Sequence, residues 1–402
     1  MPAPKQEKLL NGLKVLMWSD AKADKVTVKI RINSGSAFDP QGKEGVMQLL
    51  ADNLFPNQAS RDFFAEDLGG GLDIVTNYDY IQINASSKPE GFLTMLETLA
   101  TAVSNTAIDK ETTLKLRNAL LAKLKIKESD PAYVADQAVA KRLLGTFPYG
   151  RPQMGSTASV QKIDFADLID AKQRFLTADN AAIAISGNYD KALGFKAVRR
   201  YFGGWLKADK RVPPTFRQPD EPDLKMIDIS MADAARAEVR FAFRGISRSD
   251  KDFPASRIFT CILRERFSNL MGGNDFEQFS VANNAHVLPG YFALGYSAKA
   301  AIVPLPSNHQ ASADAPAYVR SNPILSLFRN ITDAEFAKAT AAFLAENSKK
   351  SVEDQWLDGD TYKIVPADET KALQNITIAD VQRIAERLAK NPVAVVTVSN
   401  QK

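Results

Sequence analysis

Gln161-Lys162-Ile163-Asp164-Phe165-Ala166-Asp167-Leu168, running on through Arg174 to Ala181-Ala182-Ile183-Ala184-Ile185-Ser186, is the stretch that decides the fold. Moved forward by 213 positions without a gap, it falls on a second copy of itself. Gln161 lands on Gln374, Ile163 on Ile376, Ala166-Asp167 on Ala379-Asp380, Arg174 on Arg387, Ala181 on Ala394 and Ser186 on Ser399. Most other positions keep their character, as with Phe165 on Ile378 and Leu168 on Val381. Each copy reads as a helix followed by a buried strand. A long-period repeat of this kind points to duplication of a whole domain.

Outward from that repeat the elements alternate in kind. Leu10-Asn11-Gly12-Leu13 places a tight-turn pair before an apolar run, the signature of a hairpin-like entry into strand. Val26 to Ile32 alternates apolar and polar residues, which predicts a half-buried strand with Val26, Val28, Ile30 and Ile32 inward. Helices are expected from Glu44 to Leu54 and from Ser60 to Leu68, the second ending at Gly69-Gly70-Gly71. Strand follows from Leu72 to Ala85, broken by a turn at Tyr78-Asp79-Tyr80, and then helices over 89–104, 110–127 and 132–144. Between Lys207 and Pro222 four prolines fall among charged residues, which reads as a linker. The expected organisation is a domain over 1–208, a linker over 209–224 and a second domain over 225–402. Val303 to Pro316, rich in Pro, Ser and Ala, reads as a long loop.

Composition narrows the function. With 402 residues, 45% hydrophobic and 24% charged, the chain is long enough for two full cores. A net charge of +4 and scattered basic residues argue against a nucleic-acid partner. No apolar run has the length of a membrane span, about 18 residues. The single cysteine, Cys261, excludes an internal disulfide and reads as a small buried core residue in the apolar run Arg257 to Leu263. The opening Met1-Pro2-Ala3-Pro4 has no apolar signal core, which fits a cytoplasmic start or a mature chain that has lost a signal; the second case favours a periplasmic or secreted location.

In order along the chain, Leu10-Asn11-Gly12-Leu13-Lys14-Val15, Asn33-Ser34-Gly35-Ser36, Leu68-Gly69-Gly70 and Phe147-Pro148-Tyr149-Gly150-Arg151-Pro152 with Gly155 resemble motifs of the pitrilysin/insulinase-type peptidases, in their short mitochondrial-processing-peptidase-like branch. The resemblance spans nearly the whole chain. It implies an α+β fold of two homologous domains, each a mostly antiparallel sheet packed with helices, together forming half of a clamshell around a peptide chamber.

The same resemblance makes the departures informative. The family's inverted zinc helix carries H-x-x-E-H, two imidazoles on one helical face with a general-base glutamate beside them. Here Gly45 to Phe55 keeps the frame, but the histidine positions read Gln48 and Asp52 and the glutamate position reads Ala51. The third ligand, a glutamate in the family, falls at Ala122 or Lys123, counted back from Asp130-Pro131. The expected metal set is therefore none, with Gln48, Asp52 and Lys123 as lost ligand positions and Ala51 as the lost base, and no cofactor is expected. The family's carbonyl-holding Arg and Tyr stand seven residues apart after the helix that here contains Cys261. Counting from Arg264 or Arg266 reaches Met271 or Gly273, and Tyr291 and Tyr296 lie too far along.

The expected function is that of a non-catalytic homologue, the pseudo-subunit of a two-subunit peptidase, lining the chamber and helping to hold extended peptide. Its expected partner is an active homologue or a second copy of itself. Two other readings remain: an active zinc peptidase with non-standard ligands, drawing on His286 or His309, and a purely structural scaffold. His286, in a turn before an apolar strand, reads more simply as a hydrogen-bonding turn residue.

Overall fold

A computed structural model describes residues 2–208, 216–219, 221–222, 225–270, 276–299 and 323–400. Most of the proline-rich stretch expected as a linker, the loop expected at 303–316, and His309, Met271 and Gly273 lie outside the described residues.

The first part of the chain runs β1 Lys5–Lys8, β2 Lys14–Ser19, β3 Val26–Ile32, α1 Val46–Leu54, α2 Gln58–Glu66, β4 Gly71–Thr76, β5 Ile81–Ser87, α3 Phe92–Ser104, α4 Lys110–Glu128, α5 Pro131–Leu144, α6 Thr157–Val160, α7 Phe165–Phe175, β6 Ala181–Gly187 and α8 Lys191–Phe202. The second runs β7 Ile227–Ser230, β8 Arg236–Arg244, α9 Phe253–Leu270, β9 Phe276–Asn284, β10 Tyr291–Lys299, α10 Pro323–Ser326, α11 Asp333–Asn347, α12 Val352–Tyr362, α13 Pro366–Gln374, α14 Ile378–Ala389 and β11 Val393–Ser399.

These elements make two compact units that exchange pieces of chain. Unit 1 holds 1–124, 152–216 and 351–366; unit 2 holds 125–151, 217–350 and 367–402. Each unit thus takes one helix from the far half of the chain: α12 packs on β3 and β6 in unit 1, and α5 packs on β8 and β11 in unit 2. As duplicated halves along the chain we propose 1–208 and 225–402, joined by 209–224.

Apart from β1, which has no counterpart among the described residues of the second, the sheets share one topology. The first has strand order β1-β2-β6-β3-β5-β4 and the second β7-β11-β8-β10-β9. In each, one parallel pair (β2 with β6, β7 with β11) is followed by antiparallel neighbours. The repeat that opened the sequence therefore occupies the same place twice, α7–β6 and α14–β11. Both helices start with a capping box, Asp164 with Asp167 and Thr377 with Asp380, at the expected 213-residue offset. The strands do not keep that offset. Ala181, Ile183 and Ile185 face the core of unit 1, whereas Val393 and Val395 face the core of unit 2, so the strands correspond at an offset of 212. Side chains alternate across a strand, and keeping the ungapped offset would turn the buried set outward. From helix start to strand start the second copy is one residue shorter, Ile378 to Val393 against Phe165 to Ala181.

The unit 1 core lies between the sheet and α1, α3, α7 and α8. As the alternation predicts, Val26, Val28, Ile30 and Ile32 are buried there, against Leu50, Leu54, Leu96 and Leu168. The other sheet face carries Lys29 and Arg31, and α12 covers it. Trp356 and Leu357 of α12 pack on Leu16, Ala182 and Ala184. In unit 2 the core lies between the sheet and α9, α11 and α14, with Phe292, Phe243, Phe328 and Phe259 in ring contact each with the next. No described helix is long and apolar enough to cross a membrane.

Candidate functional site

The chain entering α1 is held by its backbone. Asp39, itself buried, accepts the N–H of Gly45 at 2.8 Å through Oδ2 and the N–H of Met47 at 2.7 Å through Oδ1, so one carboxylate satisfies two donors at a helix start. Gly45 has φ +110, a left-handed value that glycine adopts without a Cβ clash. Gly155, of the sequence motif at 147–155, has φ +78 and sits where a Cβ would lie 2.0 Å from the Glu44 carbonyl oxygen. Ser159 Oγ donates to that same oxygen at 2.8 Å. These contacts fix where α1 begins and therefore which residues it turns outward.

Met47, Leu50, Ala51 and Leu54 of α1 point into the core. Gln48 and Asp52, one helical turn apart, are half-buried on a neighbouring face, and Gln48 Nε2 donates to Asp52 Oδ1 at 2.9 Å. Burial pushes the Asp52 carboxyl above its usual range; the Gln48 hydrogen bond and then the positive charges of Lys123 and Arg61 pull it back in part. So the structure does bring Gln48, Asp52 and Lys123 into one electrostatic neighbourhood, with Ala51 beneath them. It also adds Arg61 of α2, which no motif singled out. Ala122 and Lys123 are exposed on α4.

The donor set can be tested against the zinc ion that such a helix position implies. A zinc site needs about three protein ligands drawn from imidazole, thiolate or carboxylate. This cluster offers one carboxylate, already bonded to an amide and faced by two cations. Among the described residues no group of three or more His, Cys, Asp or Glu side chains is placed to hold a metal. The residues present do not fit the ion.

In unit 2, Arg266 is used up in structure. Its guanidinium makes a two-pronged pair with Glu335 at 2.6 and 2.7 Å and donates to the carbonyls of Leu327, Arg329 and Asn330. Those bonds hold the Glu335 carboxyl down at about 2. Arg264 is exposed. Tyr291 and Tyr296 both lie on β10; burial raises each phenol to about 12, and Tyr296 packs among Phe241 and Phe267. The strand after α9, Phe276–Asn284, has neither tyrosine nor arginine. His286 sits in the turn between β9 and β10, its ring 4.4 Å from that of Tyr149 and its carbonyl accepting the Arg248 N–H at 2.7 Å. Cys261 is half-buried rather than enclosed in the core, because it lies on the α9 face turned toward α11, where a cavity opens.

Comparison with known proteins agrees with this architecture. Residues 14–157 match "Insulinase (Peptidase family M16)" and residues 162–304 match "Peptidase M16 inactive domain". The chain belongs to the insulinase family, peptidase family M16. A probable mitochondrial-processing peptidase subunit beta of Arabidopsis thaliana is 26% identical over 289 residues, 68% of this chain and 52% of that protein. The chain spans about half the length of the curated relatives it matches. Among solved structures, a peptidase M16 inactive domain from Pseudomonas fluorescens superposes with a TM-score of 0.83 at 17% identity, covering 99% of this chain and 98% of that one. A protease from Helicobacter pylori does so with 0.84 at 16% identity, covering 99% and 100%. At such identities the structural likeness speaks for the fold alone.

Proposed function

We propose that this M16-family chain is a non-catalytic subunit that lines a peptide chamber and helps to hold extended peptide beside an active homologue or a second copy of itself. The observation that carries the reading is the Gln48–Asp52 pair with Lys123 and Arg61 about it. Where a zinc-activated water would need ligands and a base, the helix presents an amide, a methyl group and one carboxylate that is hydrogen-bonded to that amide. Ala51, at the position where the family carries its base, has no group that could take a proton from a metal-bound water.

Peptide holding has independent support. Among the described residues strand β4 pairs with β5 alone and forms an edge of the unit 1 sheet, next to α1. An extended peptide can add to such an edge through backbone hydrogen bonds, with Val75 exposed there for apolar contact. The likeness of the chain to a protein named as a peptidase subunit supports the pairing.

Metal analysis, peptide cleavage and sedimentation of the purified chain, alone and mixed with an M16 homologue that retains H-x-x-E-H, test the proposal. The expected result is no stoichiometric zinc, no chelator-sensitive cleavage, and a complex burying roughly 1,600 Å² or more. One zinc per chain lost together with activity overturns the non-catalytic reading. A monomer under every condition overturns the subunit reading.

A further inference from the structure

Helices α12 and α5 each sit on a sheet made by the other half of the chain, and each seat is built for its occupant. Four carboxylates of α12 meet groups of the first sheet. Lys14 pairs with Asp360, Lys29 with Asp354 and Arg31 with Asp358, while Ser186 Oγ donates to Glu353. Lys29 also donates to Ser351 Oγ at 2.8 Å, and Thr361 Oγ1 donates to Asn33 Oδ1 at 2.8 Å, so both ends of the helix are tied down. Between those ends the Trp356 indole donates to the Pro2 carbonyl at 3.2 Å.

Around α5 the direction is reversed, and residues of the first half grip the second sheet. Asp136 accepts from Arg240, and Gly295 leaves room for that arginine, since a Cβ there would lie 2.6 Å from Arg240 Cδ. Arg142 donates to the Lys225 carbonyl at 2.5 Å. Just past the helix, Tyr149 Oη accepts the Leu288 N–H at 3.2 Å.

Neither docking is a loose surface contact. Arg31 is 1% exposed and Glu353 4%, so parting α12 from its sheet would leave buried charges without partners. At 11 residues α12 is too short to persist as a helix alone in water. Each half carries one helix and one seat. The two dockings are therefore made together, and the second is intramolecular once the first has formed.

We propose that residues 1–208 and 225–402 are reciprocal binding partners that stay assembled after the connection over 209–224 is cut. The outer face of β2, β6 and β3 takes an acidic helix from the second half, and β8 with β11 takes α5 from the first. The pairing stands apart from the α1 site and holds whether or not the chain binds metal, peptide or a homologue.

The test uses the full chain with a specific protease site inserted within 209–224. Complete cleavage is followed on a denaturing gel, assembly by sedimentation, and docking by hydrogen exchange. The cut chain should sediment with the mass of the uncut one, and the amides of α5 and α12 should exchange within about twofold of their uncut rates. Halves that separate at micromolar concentration overturn the proposal, as do halves that stay together while α5 or α12 exchanges freely. These two readouts decide the matter without any variant. Asp354→Lys with Asp358→Lys, folded before cutting by circular dichroism, should weaken the association of the cut halves at least about tenfold. Adding Lys29→Asp should recover part of that loss. An association as tight in the folded charge-reversed variant as in the parent would place the binding elsewhere and overturn the proposal.

Discussion

Arg31 Nη1 and Asp358 Oδ1 meet at 2.8 Å with both side chains enclosed, although 327 residues separate them along the chain. The same guanidinium donates to Gln82 Oε1 at 2.7 Å and to Thr361 Oγ1 at 3.2 Å and stacks 4.0 Å from the Tyr80 ring centre. Nearby, Lys29 pairs with Asp354 at 2.6 Å. Strand β8 repeats the device: at the position equivalent to Lys29, Arg240 pairs with Asp136 of α5 at 2.5 Å. In both units a basic residue on the outer sheet face is neutralised by an aspartate on the helix taken from the other half.

Removing one partner should therefore cost far more than removing both. Arg31→Met leaves Asp358 buried without its cation and should destabilise the protein by about 3–5 kcal/mol. Arg31→Met combined with Asp358→Leu should recover most of that loss. Urea unfolding of the two single variants and the double variant measures the coupling; strictly additive losses would show that the pair does not act as a unit.

Asp52 should behave in the opposite sense to a stabilising carboxylate. Its folded-state pKa is raised by burial, so the ionised form is penalised in the folded protein and stability falls as pH rises through that value. Asp52→Asn removes the penalty while leaving Gln48 an oxygen to donate to. The variant should be more stable than the parent at pH 7, with the difference vanishing below about pH 4, near the unfolded value. Unfolding midpoints at the two pH values decide it.

Glu335 gives the reverse slope. Bonding to Arg266 lowers its carboxyl to about 2, so its contribution is complete above the unfolded value of about 4.3 and is lost as pH falls toward 2. Glu335→Gln should flatten the acid limb of the stability profile between pH 4.5 and 2. An unchanged profile would mean that the Arg266 pair contributes nothing net in solution.

Grafting the family motif should fail in a specific way. Gln48→His, Ala51→Glu and Asp52→His supply two imidazoles and a base, but Lys123 stays as a positive charge facing the ion, and Ala51→Glu forces a carboxylate into a fully buried position. Zinc affinity should rise substantially only when Lys123→Glu is added, by at least about tenfold over the triple variant. Equilibrium metal titration of both variants tests this.

The duplicated fold was legible because its signals are local: capping residues, the alternation of Val26 to Ile32, and a repeat long enough to see. Gln48, Ala51 and Asp52 were singled out by a local signal too, their places in the frame that the family resemblance lays over Gly45 to Phe55. The exchange of α5 and α12 was not. Lys29 and Arg31 read as outward and polar, and nothing within thirty residues says that Asp354 and Asp358 will bury them. Arg61 was missed because its effect on Asp52 passes between two helices with no sequence spacing to mark it. The one-residue offset between β6 and β11 was hidden by conservative identities, Ala181 on Ala394 and Ser186 on Ser399, that match in letter and differ in the face they present.

The exchange also sets a timetable for synthesis. By the time Gly187 closes β6, every strand of the unit 1 sheet has been made, yet the helix that covers Arg31 ends at Tyr362. At ribosomal rates of 5–20 residues per second the nascent sheet waits roughly ten to thirty-five seconds with that face uncovered. During that interval the charges on Lys29 and Arg31 would keep the bare face hydrated. The residues that later anchor α12 would thus first serve as its placeholder, guarding a surface whose cover has yet to be translated.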